Sequence, residues 1–202
     1  MEEDNINKLD NFFTDVEELD ISDLLLDKII NLKKFKNLIN LNCSNNSINK
    51  LLGLSQKIKK INCSNNQILK FYNVYKNLEI LDCSHNNIKF LNNLSNKIIN
   101  LDCSYNNIKE LNNLPQSILN LNCSWNRIKF LNNLPESLIN LDCSYNNIVI
   151  LDDLPINIKY LNCSYNKIIS LNNLPNNLIE LYYNSINNIQ NLPKKINYIE
   201  IK

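Results

Sequence analysis

The sequence predicts an α/β-type solenoid, mostly β, of about nine short coils, and three observations lead to this class. The chain has 202 residues, 44% of them hydrophobic, which is enough to bury the core of one domain. Its seven cysteines recur at a constant interval of twenty residues. The apolar residues around each cysteine repeat with the same spacing, as expected of units that bury their apolar faces against their neighbours. The cysteines are Cys43, Cys63, Cys83, Cys103, Cys123, Cys143 and Cys163.

Each unit is predicted to contribute one short strand to a parallel sheet. In the fourth unit Leu101 and Cys103 alternate with polar residues, so both should point inward while their neighbours face outward. Asn106 should end the strand and bond to backbone groups of the adjacent coil. A twenty-residue unit leaves no room for a helix on the return side, where five prolines favour an extended convex side.

The repeated motif, Leu-x-x-Leu-x-Cys-x-x-Asn-x-Ile, resembles the leucine-rich repeat and covers about residues 29–201. Its twenty-residue form is similar to the short repeats of bacterial effector proteins, and its composition resembles leucine-rich repeat proteins of giant DNA viruses. The resemblance implies a right-handed superhelix that binds other proteins. The chain departs from the effectors in having Cys where an aliphatic residue is usual, and in lacking the ligase domain that some effectors carry.

The two ends of the chain are expected to cap the solenoid. Residues 1–27 carry ten acidic side chains and one lysine, whereas the other 175 residues carry ten acidic and twenty basic ones. We expect residues 1–28 to form an acidic N-terminal capping segment and residues 29–202 to form the repeats. Helical spacing of apolar residues predicts an amphipathic capping helix over residues 5–19. Those residues are Ile6, Leu9, Phe12, Phe13, Val16 and Leu19. Residues 196–201 predict a final strand, whose open edge is either blunted by charged residues or paired with another chain.

The cysteines are predicted to be buried free thiols in a reducing compartment. Strands lie about 4.8 Å apart, farther than the roughly 3.8 Å between bridged Cβ atoms. Zinc requires clustered ligands, but here the spacing is twenty residues and His85 is the single histidine. We therefore expect no metal and no cofactor. No signal peptide or apolar run of 18 residues is present, so the expected location is intracellular and cytoplasmic, in the host cytoplasm if the chain is viral.

The Cys-Ser-x-Asn motif does not predict catalysis. Each serine recurs in the same setting in seven units, without a general base or an orienting acid beside it. We expect a non-enzymatic protein with no catalytic residue.

The position two residues after each cysteine carries an unusual run of aromatic residues. These rings either stack on one another and stiffen the sheet, or form a ridge that binds a partner. The residues at this position are Asn45, Asn65, His85, Tyr105, Trp125, Tyr145 and Tyr165.

The outward strand positions predict a polar, mildly acidic sheet face suited to a protein partner. This face includes Asp82, Asp102 and Asp142, which would repel phosphate. Together with the aromatic run it defines the candidate partner-binding residues, with Trp125 as the central anchor and Arg127 as its polar neighbour. The candidates are His85, Tyr105, Trp125, Arg127, Tyr145, Tyr160, Tyr165 and Tyr182.

The predicted function is a scaffold for protein–protein interaction, acting as a monomer and away from membranes. The sequence does not identify the partner. One alternative is nucleic-acid binding by a column of lysines, which is disfavoured because Arg127 is the single arginine and no nucleic-acid-binding motif accompanies it. The lysines are Lys50, Lys70, Lys89, Lys109 and Lys129. The other alternative is an adaptor that recruits a substrate and docks through residues 1–27.

Overall fold

Short parallel strands, one for each turn of the chain, build the protein. The computed structural model describes residue 9 and residues 12–72, 75–92, 94–184, 188–189, 192–193 and 196–201. The strands are β1 (Glu18–Asp20), β2 (Asp27–Asn31), β3 (Asn40–Asn42), β4 (Ser47–Leu52), β5 (Lys60–Asn62), β6 (Ile80–Asp82), β7 (Asn100–Asp102), β8 (Asn120–Asn122), β9 (Asn140–Asp142), β10 (Tyr160–Asn162), β11 (Ser170–Leu171), β12 (Glu180–Asn184), β13 (Asn188–Ile189) and β14 (Asn197–Ile201).

Ten of these strands form one parallel sheet that runs the length of the solenoid. Its order is β1-β3-β5-β6-β7-β8-β9-β10-β12-β14, so strands that pair come from successive turns of the chain. From β3 to β12 every pair is offset by twenty residues, as in Leu101 beside Leu121. The predicted parallel sheet is confirmed, while the right-handed winding stays a prediction.

The core is a set of identical layers. In one turn Leu101, Cys103, Ile108 and Leu111 are all buried, and the same positions are buried in the neighbouring turns. All seven cysteines are free and buried, which confirms the predicted row of thiols. Three of them donate a weak hydrogen bond to the carbonyl of the next turn, as Cys83 Sγ does to Asp102 at 3.3 Å. The thiols are thus small apolar filling between coils.

A row of buried and half-buried asparagines, the asparagine ladder, ties each coil to the one before it. Asn106 Nδ2 donates to the carbonyl of Cys83 in the preceding coil at 3.0 Å and to that of Cys103 in its own coil at 3.1 Å. Its Oδ1 accepts from the N–H of Ile88 at 2.9 Å. This pairing satisfies backbone groups that the turn would otherwise leave buried and unbonded, as the sequence predicts. The ladder comprises Asn46, Asn66, Asn86, Asn106, Asn126, Asn146 and Asn166.

The return side is less uniformly extended than predicted. Strand β2 pairs with β4, strand β11 pairs with β13, and single bridges join Glu110 to Phe130 and Phe130 to Ile150. The prolines begin turns there instead of continuing an extended run, because the Pro115 carbonyl accepts from the N–H of Ile118 at 3.3 Å. The convex side therefore carries some backbone pairing of its own.

The predicted capping helix over residues 5–19 is not confirmed: Leu9 is helical, but the prediction is wrong over residues 12–19. Residues 12–17 are not helical, Glu18–Asp20 is strand β1, and residues 5–8, 10 and 11 lie outside the described residues. A strand forms here because Leu19 and Ile21 alternate in the same way as Leu41 and Cys43 of the next coil. The N–H of Ile21 donates to the carbonyl of Asn42, just as the N–H of Cys43 donates to that of Asn62. The first coil thus begins within residues 1–28, the predicted N-terminal cap. The division at residue 28 stays a prediction.

The predicted final strand is confirmed as β14, which pairs with β12 at the end of the sheet. Lys194, Lys195 and Lys202 lie outside the described residues.

Candidate functional site

Five rings form a continuous stack just beyond the carboxyl ends of the strands. Neighbouring ring centroids are 3.9–4.9 Å apart, and their planes are inclined by 10–15°. The stack follows from the register of the sheet, because successive strands are separated by about 4.8 Å and bring equivalent side chains into contact. We call this stack the aromatic ladder, and it consists of His85, Tyr105, Trp125, Tyr145 and Tyr165.

Every rung of the aromatic ladder has a left-handed backbone. Trp125 has a φ of 52°, and the other four rungs have values between 51° and 53°. Asn45 and Asn65 hold the same position in earlier coils at 55° and 52°. Asparagine tolerates this conformation, whereas a bulky residue there costs about 1–2 kcal/mol. The turn itself does not require aromatic residues, and ring stacking of about 0.5–1.5 kcal/mol per pair offsets their strain.

Backbone hydrogen bonds hold the rungs in place from the following coil. The N–H of Tyr105 donates to Ser124 at 3.0 Å, and the carbonyl of Trp125 accepts from Asn106 at 3.1 Å. The equivalent bonds fix Trp125 against Ser144 at 3.0 Å. The aromatic ladder is therefore a rigid feature of the solenoid surface.

The aromatic ladder presents ring edges and hydroxyl groups to solvent. Tyr105, Trp125 and Tyr165 are 41–43% exposed, although both faces of Tyr105, Trp125 and Tyr145 are covered by neighbouring rings. Loss of hydration, followed by the hydrogen bond and charge of Tyr165, raises the pKa of Tyr145. The Tyr145 phenol accordingly remains protonated at neutral pH.

A shallow groove of about 300 Å³ crosses the strand face beside the aromatic ladder. Its floor includes the carboxylates of Asp82, Asp102 and Asp142 and the amide of Asn120. Asp102 Oδ1 accepts from both the N–H and the hydroxyl of Ser104, at 2.9 and 2.6 Å. Hydrogen bonds from the serines of the Cys-Ser motif thus hold this row of acids and amides in position.

Cross-strand hydrogen bonds make the strand face a connected polar surface. Asn122 Nδ2 donates to Asp102 Oδ2 at 2.9 Å, and Asn162 Nδ2 donates to Asp142 Oδ2 at 3.1 Å. Asp82 lies directly beside Asp102 in the sheet register, with like charge opposing like charge. The face is therefore preorganised and acidic, as predicted.

Tyr160 and Tyr182 lie apart from the aromatic ladder. They form a tilted pair with centroids 5.5 Å apart, and Tyr160 borders the groove on the strand face. Tyr182 donates a long hydrogen bond to Glu180 Oε2 at 3.4 Å. Burial, and then the nearby charge of Asp142, raises the pKa of Tyr160. This pair adds an aromatic wall to one end of the groove.

Arg127 lies in another place on the surface. It lines a second groove of about 350 Å³ together with Lys109, Lys129 and Phe130, near the backbone bridges of the return side. The eight predicted residues thus occupy three positions: the aromatic ladder, the strand face and this second groove. Sequence reasoning missed the apolar residues near Arg127, and the signal was their recurrence six and seven residues after the cysteines.

Burial suppresses the reactivity of the cysteine thiols. Burial raises the pKa of Cys43 and Cys163 to about 12, and that of Cys103 well above its ordinary value, so the thiolate form is suppressed. Within the described residues, no three His, Cys, Asp or Glu side chains come together as metal ligands would. The described residues also include no helix of the length and apolarity needed to cross a membrane.

Comparison with solved structures finds the same repeat architecture in proteins of bacterial pathogens. YopM, a leucine-rich effector protein from Yersinia pestis, is 30% identical with a TM-score of 0.78, over 84% of this chain and 49% of that one. The functional domain of InlJ from Listeria monocytogenes, which includes a cysteine ladder, is 25% identical with a TM-score of 0.79, over 93% and 44%. A Shigella effector leucine-rich repeat domain is 23% identical with a TM-score of 0.69, over 83% and 74%.

The chain spans about half of the length of the YopM and InlJ chains. No protein-family model matches the sequence, and no curated protein matches it significantly. The shared fold fits an interaction scaffold.

Proposed function

We propose that this chain, a leucine-rich repeat protein with short repeats like those of bacterial effectors, is a rigid, non-enzymatic scaffold that binds another protein through its strand face and aromatic ladder. The observation that carries the proposal is the exposed aromatic ladder at a backbone position where asparagine is the relaxed choice. Strain that the turn does not require is characteristic of functional positions. Tyr and Trp are also favoured residues at protein interfaces.

The two surfaces suit different parts of one partner. The groove beside Asp102 and Asp142 offers carboxylates and amides to polar and basic groups, while Tyr160 supplies an apolar wall. The aromatic ladder offers ring edges and phenol donors to carbonyl oxygens and aliphatic side chains. Since both surfaces are held by hydrogen bonds between coils, little ordering is required on binding, which favours affinity.

The geometry of the aromatic ladder disfavours single-stranded nucleic acid as the ligand. Bases bind such proteins by stacking on free aromatic faces. Here each inner ring has both faces covered by its neighbours, and the outer faces of His85 and Tyr165 are the ones left for stacking. Asp102 and Asp142 on the adjoining strand face would repel phosphate. Recruitment of a substrate through residues 1–27 remains compatible with the scaffold role.

The effector neighbours support action inside a cell as part of this proposal. Seven buried thiols agree with a reducing compartment.

A ladder variant that keeps the fold tests the proposal. Tyr105, Trp125 and Tyr145 are replaced together by asparagine, which already occupies this position at Asn45 and Asn65. The partner is first captured from cell extract with the wild-type protein, identified, purified and titrated by calorimetry. We expect the ladder variant to bind it at least ten-fold more weakly, because interface aromatics often contribute more than about 1.4 kcal/mol each.

Two further variants complete the test. Tyr160→Ala should also weaken binding, whereas Ile156→Ser, at a residue 63% exposed and outside both surfaces, should not. Full affinity in both the ladder variant and Tyr160→Ala would refute the proposed surface.

A further inference from the structure

The return side of the solenoid carries exposed apolar residues beside unpaired positive charges. Phe130, Ile150 and Ile169 are 55%, 54% and 62% exposed. Phe130 and Ile150 are joined by a parallel backbone bridge, so their side chains lie on neighbouring coils about 4.8 Å apart. We call this surface the basic–apolar patch, and it comprises Lys109, Arg127, Lys129, Phe130 and Ile150.

The positive charges of the basic–apolar patch lack partners within the described chain. Lys109, Arg127 and Lys129 border the 350 Å³ groove and form no ion pair with a described acid. Glu110 also lines this groove and is bridged to Phe130, so three positive charges there stand against one negative charge and the groove keeps a positive excess. A contiguous apolar surface rimmed by like charge is typical of an interaction site, and it selects an acidic partner with an apolar anchor.

The chain itself contains a segment with this chemistry. Phe13 is 86% exposed at the N-terminal end of the solenoid. It is followed by Asp15, Glu17 and Glu18, which are exposed and pair with no described cation. Residues 12–18, which we call the acidic segment, thus present an unpacked aromatic ring beside uncompensated negative charge.

The acidic segment cannot reach the basic–apolar patch of its own chain. Phe13 is five residues from Glu18, where β1 begins, and five residues span at most about 18 Å. Phe130 follows β8, which is five strand spacings, or about 24 Å, from β1 along the sheet. It also lies on the opposite side of the coil from the sheet, which lengthens the path. The complementary surface must therefore come from another molecule.

We propose that the acidic segment of one copy docks on the basic–apolar patch of a second copy. Phe13 inserts beside Phe130 and Ile150, while Asp15 and Glu17 face Arg127 and Lys129. The contact joins two different surfaces, so it builds a ring or an open chain instead of a two-fold dimer. This association involves neither the strand face nor the aromatic ladder, and it goes beyond the monomer that the sequence predicts.

Sedimentation of the full chain tests the proposal. We expect the average mass to rise above 23.6 kDa between about 1 and 200 μM protein at low salt. The rise should shrink at about 0.3 M salt, because exposed charges are then screened. Phe13→Ser and Phe130→Ser should each weaken association at least ten-fold. Ile156→Ser, which changes a residue 63% exposed outside the patch, should leave it unchanged.

A charge exchange identifies the pairing. One variant carries Arg127→Glu and Lys129→Glu, and the other carries Asp15→Lys and Glu17→Lys. Each should remain monomeric alone, but a mixture of the two should associate, because the altered segment then faces the altered patch. A monomeric wild-type protein at every concentration in low salt would overturn the proposal. Association that survives Phe130→Ser, that is lost in Ile156→Ser, or that fails to return in the mixture would overturn it as well.

Discussion

Replacement of Asn126 by alanine probes the hydrogen bonds that join one coil to the next. Its Oδ1 accepts from the N–H of Ile108 at 2.9 Å. Its Nδ2 donates to the carbonyls of Cys103, Cys123 and Ser124 at 3.0, 3.2 and 3.1 Å. Alanine fills none of these roles, and the site is buried, so water cannot take them over without opening the coil.

The cost follows from what remains bonded after the substitution. The three carbonyls each keep another donor, namely Asn106, Asn146 and the N–H of Tyr105. The N–H of Ile108 has no other acceptor among the described residues. An orphaned buried N–H costs about 1–3 kcal/mol, and three lost bonds to already satisfied carbonyls add roughly 0.5–1 kcal/mol each. We expect the free energy of unfolding to fall by about 2.5–6 kcal/mol.

Urea unfolding followed by circular dichroism measures this loss. Asn132→Ala is the matched control, since Asn132 is exposed and no hydrogen bond is assigned to its side chain, and it should change stability by less than about 0.5 kcal/mol. Asn46→Ala, at a half-buried position in the coil of β3, should fall between the two. A loss below about 1 kcal/mol at Asn126, or one equal to that of the control, would refute the role assigned to the asparagine ladder.

Three further outcomes are expected. The stability of Trp125→Asn in urea unfolding should stay within about 1 kcal/mol of the wild type, because relief of the strained left-handed backbone offsets two lost ring contacts. Trp125→Val should lose more stability, because valine keeps the backbone strain. Equal losses in the two variants would contradict this balance. Because burial raises the pKa of Cys43 and Cys163 from 9.0 to about 12, the unfolded chain ionises first, so the contribution of these thiols to stability should be constant below about pH 8 and fall as pH rises from about 9 towards 12. The urea midpoint measured as a function of pH tests this dependence. Rapid reaction of the native thiols with Ellman's reagent at about pH 8 would contradict their burial. Asp82→Asn should raise stability by about 0.5 kcal/mol at low salt by removing the like charge beside Asp102, and a salt-independent or destabilising effect would argue against repulsion.

The sequence was sufficient to predict the sheet and the core because their pattern is local and repeated. Leu101 and Cys103 recur at one period, and this fixes the register, the burial of the thiols and the role of Asn106. The helix prediction failed over residues 12–19 for a related reason. Residues around Leu19 fit both a helical and an alternating pattern, and the neighbouring strand β3 decided between them through tertiary pairing.

The candidate site was less predictable because it depends on backbone conformation. The stacking of the rings from His85 to Tyr165 follows from the register of the strands. Their left-handed backbone could not be predicted, because aromatic residues do not indicate that conformation. Asn45 in the same phase was the available signal, since asparagine favours that conformation. Arg127 is two residues from Trp125 in sequence, yet it lines a different groove, because the turn around buried Asn126 lies between them.

The hydrogen bonds of the buried amides give the fold a direction of assembly. Among the described residues, Asn126 is the one acceptor for the N–H of Ile108 and Asn146 the one for that of Ile128, so these turns are completed by the turn synthesised after them. A coil leaving the ribosome therefore remains open until about twenty more residues have followed. Removal of coils from the C-terminal end would leave backbone N–H groups without their asparagine acceptors. Removal of coils from the N-terminal end would leave asparagine side-chain amides without their backbone partners.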